Sequence, residues 1–183
     1  LMRAYKPPEK ISVDVWVEKN IVLSEITSCE SGPLRLSRTP YMRGILQAFG
    51  SIYIEHIVLV AGRQVGKSQS FLYSCLSYVI AEDPGPALFV ISTKELAKYT
   101  SANRLQPQFL LCKAVREKLT SDQDDFTNME MRFKDMVLSI VGGGSLSQMI
   151  SRPVRYLFRD EIDEIISTSN INADLLKAVE ETT

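Results

Sequence analysis

The chain has 183 residues, 45% hydrophobic and 23% charged, and a formal net charge of -1. Those proportions are near the globular mean and exclude a disordered chain; the near-zero charge excludes a uniformly basic coat for nucleic acid, though not a local basic patch. No apolar run approaches the roughly 20 residues of a membrane span, and the opening Leu1-Met2-Arg3-Ala4 has no signal-peptide character, so no membrane partner is expected.

Taken in chain order, Ile11, Val13, Val15 and Val17 alternate with polar residues and Trp16, which is a strand period. Ser31-Gly32-Pro33 punctuates a loop. Thr39-Pro40 reads as an N-cap followed by proline at the first helical position, opening a helix over 40–49 that ends near Gly50. Ile57-Val58-Leu59-Val60 is wholly apolar and reads as a central strand buried on both faces. A glycine-containing turn leads to a helix over 67–82, with Phe71, Leu72, Cys75, Leu76, Val79 and Ile80 on its apolar face and Ser70, Ser74 and Ser77 facing elsewhere. Asp83-Pro84-Gly85-Pro86 breaks it, and residues 87–91 form a second buried strand. Ser92 and Glu95 suggest a capping box for a helix over 94–105. Pro107 is expected to end that helix, with a further one running to Leu119.

Residues 121–128 are polar and acidic, hence an exposed loop, and 131–141 suggest a hairpin. Gly142, Gly143 and Gly144 follow as a flexible loop, then a strand over 154–158 that ends on Arg159-Asp160-Glu161. Strands alternating with helices through long connections imply an α/β domain with a mainly parallel sheet flanked by helices. Cys29, Cys75 and Cys112 are odd in number and far apart, and His56 is the one histidine. Zinc and a disulfide framework are therefore not expected, and the chain reads as reduced and cytoplasmic.

Two segments carry chemistry. Ala61-Gly62-Arg63-Gln64-Val65-Gly66-Lys67-Ser68 fits the looser form of the Walker A phosphate loop. Gly66 permits the tight turn that converges backbone amides on a phosphate, and the helix behind it presents its positive end to the same anion. Lys67 supplies a point charge for the β and γ phosphates of ATP, and Ser68 a hydroxyl for Mg²⁺. The second segment is the acidic end of the strand over 154–158. There Asp160 is placed to hold Mg²⁺ through its water shell, and Glu161 to orient or deprotonate the attacking water. Asp163 and Glu164 continue the acid run as a solvated helix start or loop.

Thr39-Pro40-Tyr41-Met42-Arg43, the loop 61–68, Asp83-Pro84-Gly85-Pro86, and Ser151-Arg152-Pro153-Val154-Arg155-Tyr156 leading into Asp160-Glu161-Ile162-Asp163-Glu164 occur in one order. Together they resemble the large terminase subunit of tailed phages, closest to the lambda-type branch, over about residues 16–183. The resemblance implies a RecA-like P-loop ATPase, residues 39–183, behind a lead-in segment, residues 1–38. It implies ATP-driven movement of double-stranded DNA into procapsids, with a small terminase subunit, a portal protein and a ring of like subunits as partners.

Several roles follow from the resemblance alone. Arg63 matches the loop arginine that stabilises γ-phosphate charge, and Tyr41 and Arg43 match the adenine-side segment. Met42 stands where helicase-like relatives often have glutamine, and Arg152 falls where DNA or a neighbouring subunit is faced. A helix, not a strand, is implied around Trp16, and that is the expectation adopted. The family's coupling strand and its nuclease domain are expected beyond Thr183, so the chain reads as a piece of a longer protein and as a weak ATPase by itself. Lys94, Lys98, Arg104, Lys113, Arg116 and Lys118 cluster on the second helical stretch and read as a solvated face or a phosphate track. A helicase-type ATPase of the same fold, or a nucleotide-binding assembly module without turnover, are the competing readings.

Overall fold

The computed structural model describes residues 11–25, 28, 30–62, 64–142 and 153–164. Arg63, Cys29, Gly143, Gly144, Ser151 and Arg152 lie outside the described residues.

The first conflict of periods is resolved in favour of the helix. Helix α1, Val13–Asn20, buries Val13, Trp16 and Val17 at i, i+3 and i+4, and leaves Ile11 and Val15 outward. Burying the indole is what the strand pattern could not do. Trp16 stands edge-on to Tyr78 at 5.4 Å, and its Nε1 donates a 2.7 Å hydrogen bond to Glu82 Oε1. A two-stranded antiparallel pair follows, β1 (Val22–Leu23) with β2 (Gly32–Pro33). Helix α2, Met42–Phe49, is entered through a turn in which Met42 N–H reaches Thr39 O, and it ends at Gly50 as expected. Val13, Trp16, Leu34 and Leu36 share one hydrophobic core with the rest of the domain.

The four-stranded sheet has the order β4-β5-β3-β6 and is mixed. Strand β3 (Ala87–Ile91) is buried along its whole length. It pairs in parallel with β5 (Val137–Gly142) on one side and β6 (Tyr156–Arg159) on the other, with Phe89 facing both Ile140 and Phe158 in register. Strand β4 (Glu130–Arg132) closes the predicted hairpin antiparallel to β5. Gly142 ends β5 against the start of the next helix, where a Cβ would come within 2.7 Å of Lys94 Cα and the Thr93 carbonyl carbon.

Three expectations are corrected. Residues 57–60 form no ladder with the described strands. Ile57 and Leu59 lean on the core, while Val58 and Val60 are 82% and 93% exposed. The described four-stranded sheet ends at β6 and does not include this run.

Pro107 does not end the second helical stretch. Helix α4 (Lys94–Thr100), capped by Thr93 Oγ1 accepting from Leu96 N–H, runs into a π-helical turn over Ser101–Leu105 and then into α5 (Gln106–Leu111). The wider turn makes room for a ring that lacks an N–H and crowds the preceding carbonyls. Helix α6 (Lys113–Arg116) follows, shorter than expected.

The third correction concerns the serines of the 67–82 helix. Ser70, Ser74 and Ser77 are buried. Ser74 Oγ donates to Gln69 O and Ser77 Oγ to Tyr73 O, and this folding-back onto helix carbonyls lets a hydroxyl enter an apolar core.

Candidate functional site

The segment 61–68 leads into a long helical run, a π-helical turn over Lys67–Leu72 continued by α3 (Tyr73–Glu82). Gln64 at φ 58° and Gly66 at φ 76° turn the backbone left-handed just before it. Ser70 N–H closes the turn onto Gly66 O at 2.7 Å. Such a turn points consecutive N–H groups at one place, and the helix dipole favours an anion there. Ala61 and Gly62 lead into it, and Val65 is pinned at its carbonyl by the Tyr41 hydroxyl at 2.7 Å.

The acidic strand end comes to the same place. Asp160 follows β6, its N–H bonded to Val90 O, and its Oδ2 accepts a 2.8 Å hydrogen bond from Ser68 Oγ. The next residue, Glu161, has φ 55°, a left-handed backbone that costs a side-chain-bearing residue roughly 1–2 kcal/mol. Partial burial raises the Glu161 pKa above its ordinary value, the negative Glu164 and Asp160 raise it further, and Lys67 pulls the other way. Lys67, Ser68, Asp160 and Glu161 are thus one electrostatic group. Tyr73 lies beside it, and burial followed by the negative Asp160 pushes its phenol well up. The sequence reading missed Tyr73; its place one turn behind Ser68 was the available signal.

No three His, Cys, Asp or Glu side chains among the described residues gather to hold a metal by themselves. A serine hydroxyl and one carboxylate suit a hard cation that keeps most of its waters and takes the rest of its ligands from phosphate, which is the habit of Mg²⁺.

Beside the phosphate loop opens a cleft of about 810 Å³, lined on one side by Gln64, Val65 and Gly66 and on the other by Thr39, Tyr41 and the lead-in residues Leu34, Arg35 and Arg38. Tyr41 is half exposed and borders it. Arg43 does not line it. Its Nη1 donates to Asp14 Oδ2 at 3.0 Å and its Nη2 to Glu18 Oε2 at 2.9 Å, so the guanidinium fastens α2 to α1. The lead-in wall was likewise not anticipated, because nothing in residues 28–38 has a motif's spacing. His56 is exposed beside the apolar run. In the basic cluster, Lys113 and Lys118 face Glu117 and Asp135, and Arg116 reaches Leu110 O. Cys75 and Cys112 are free and buried, as small apolar fillers should be, and burial raises both thiols.

The model of the phage terminase large subunit gpA ATPase domain matches residues 28–183. This chain belongs to that family. The match begins within the lead-in, ahead of Thr39, in keeping with the share that residues 30–41 take in the cleft. No curated protein and no solved structure matches the chain. Membership makes this a terminase large-subunit domain with a phage packaging ATPase role, and the α/β architecture with its mixed sheet is consistent with a P-loop fold. No helix among the described residues is long and apolar enough to cross a membrane.

Proposed function

We propose that the chain is the motor part of a terminase, a RecA-like P-loop ATPase that hydrolyses ATP with Mg²⁺ to move double-stranded DNA into a procapsid. The observation that supports this reading is the Ser68–Asp160 hydrogen bond, which joins a phosphate-loop hydroxyl to a strand-end carboxylate, the two side chains that would hold an octahedral cation. When bound, Mg²⁺ neutralises developing charge on the phosphates.

The residues divide the remaining work. The amides of 62–67 and the Lys67 ammonium hold the phosphates, and Arg63 adds positive charge where the transferring group spreads its negative charge. Ser68 and Asp160 are the metal-side ligands. Glu161, next to Asp160 and raised in pKa, accepts a proton from the attacking water. Tyr41 supplies a ring for the base at the mouth of the cleft, a role that Arg43 leaves to it by its pairing with Asp14 and Glu18. The small terminase subunit, the portal and a ring of like subunits in the bacterial cytoplasm complete the working state.

Phosphate release by the whole protein, with and without DNA, tests the reading. The wild type turns ATP over and Lys67→Ala does not bind it. Binding without any turnover, with DNA present, would favour an assembly module instead.

A further inference from the structure

We propose that Gln108 is a positioning residue of the phosphate site: its buried side-chain amide clamps the π-helical turn behind the phosphate loop and so fixes the direction in which Lys67 and Ser68 point. The inference rests on the ATPase reading above.

Gln108 lies on α5 and is 3% exposed. Its Oε1 accepts from Gln69 Nε2, and its Nε2 donates to Ser77 Oγ at 3.1 Å. The amide orientation is forced by the network. Ser77 gives its own proton to Tyr73 O at 2.8 Å, so it can only accept from Gln108. That leaves the Gln108 oxygen toward Gln69. One side chain from α5 therefore grips the phosphate-loop helix at two points, Gln69 and Ser77, about two turns apart.

The first grip falls inside the π-helical turn Lys67–Leu72, directly after Lys67 and Ser68, and the second falls on α3 beyond it. A π turn holds one residue more than an α turn, and it can relax by returning to α geometry. One residue of α-helix is about 100° of rotation. Relaxation would swing Lys67 and Ser68 around the helix axis and separate Ser68 from Asp160. The backbone of the turn has its own brace, Ser74 Oγ on Gln69 O at 3.0 Å, and Gln108 adds a polar tie from Gln69 to α5, beside the edge-on contact of Phe71 with Phe49 of α2. A second π turn, Ser101–Leu105, directly precedes α5, the helix that carries Gln108.

The bridge is poorly explained as a stabilising contact. A pair of apolar side chains of similar shape would join the two helices at little or no loss, whereas a half-made polar bridge is costly in a core. Direction is what a two-ended amide adds.

The test uses the whole protein with Gln108→Leu and Gln108→Glu, reading kcat, KM and melting temperature. Leucine removes both grips. A buried glutamate stays protonated and reproduces the amide's pattern, one acceptor and one donor. Gln108→Leu is expected to lose at least tenfold in kcat. Gln108→Glu is expected to stay within about threefold of wild type, even where its melting temperature is the lower of the two. A Gln108→Leu enzyme with wild-type kcat overturns the inference, as do losses of kcat that simply follow the melting temperatures. A wild type without turnover is seen before any variant is compared, and it removes the ATPase reading together with this one.

Discussion

Ser68 and Asp160 stand 92 positions apart, and a 2.8 Å hydrogen bond joins their side chains. One stands at the start of the helical turn after the phosphate loop, and the other directly follows strand β6. On the ATPase reading the pair is poised for a metal, not for stability. Ser68→Ala and Asp160→Asn are therefore expected to lower phosphate release by about 10²–10³-fold, the usual effect of removing one electrostatic stabiliser. Folding stability should change by no more than about 0.5–1.5 kcal/mol, the net worth of one hydrogen bond. Chelating divalent metal should abolish turnover in the wild type and leave its melting curve nearly unchanged. A large loss of stability in either variant, with turnover intact, would make the bond structural.

Glu161 gives a pH prediction. Its pKa is raised, by burial first and then by Glu164 and Asp160. A general base works deprotonated, so the rate should rise with pH through the raised value, placing the acid limb above the ordinary carboxylate range. Glu164→Gln removes one of the like charges and should move that limb to lower pH. The stability sign is opposite. A carboxyl with a raised folded pKa contributes stability at low pH that is lost as pH rises through that value. Glu161→Gln should thus keep nucleotide binding, lose turnover, and melt no lower than wild type at neutral pH. Phosphate release across pH, with calorimetry of the same samples, checks all three.

The elements that the sequence made legible are those whose pattern is local. The phosphate-loop turn, the fully apolar strand at Ala87–Ile91 and the hairpin closed by β5 each carry their instructions within a few residues. The acid pair at 160–161 was legible because it follows the largely apolar Tyr156-Leu157-Phe158 of a strand, one arginine on. What escaped depends on partners far away. Val58 and Val60 look like core residues, yet burial requires a neighbouring element that no local pattern reveals. The buried serines and Gln108 look like surface residues, because polarity is read as exposure unless the bonding partner is known. Arg43 fitted the base-side segment by position, but the acids that capture it, Asp14 and Glu18, sit in the lead-in helix.

That capture has its own consequence. Burial alone would raise the Asp14 pKa, but hydrogen bonds from Ser12, Gln47 and Arg43 outweigh it and hold the carboxyl below its ordinary value. A depressed acid contributes stability that is fully present above the unfolded pKa of about 3.9 and is lost as pH falls through the folded value. Asp14→Asn should therefore destabilise the domain by about 1.5–3 kcal/mol at neutral pH, the range for hydrogen bonds to a charged group. The difference from wild type should shrink toward zero in strong acid. Urea titrations at pH 7 and at low pH check this. A penalty independent of pH would mean that the Asp14 charge is not what fastens α1 to α2.

Tyr41 offers a way to separate two roles of one side chain. Its hydroxyl donates to Val65 O at 2.7 Å, anchoring the phosphate loop, while its ring borders the cleft beside that loop. Tyr41→Phe removes the anchor and keeps the ring. Tyr41→Ala removes both. Because Val65 O belongs to the loop backbone, losing the anchor loosens the amides that hold phosphate. That loss should raise KM for ATP by about threefold to tenfold, equivalent to roughly 0.7–1.4 kcal/mol, the size of one net hydrogen bond. Losing the ring as well should raise KM further, by the worth of one aromatic contact, about 0.5–1.5 kcal/mol. The extra loss should be specific to the base. GTP and ATP should then be less well distinguished by Tyr41→Ala than by Tyr41→Phe. KM values for both nucleotides in the three proteins decide the matter, and equal KM increases in the two variants would confine Tyr41 to anchoring the loop.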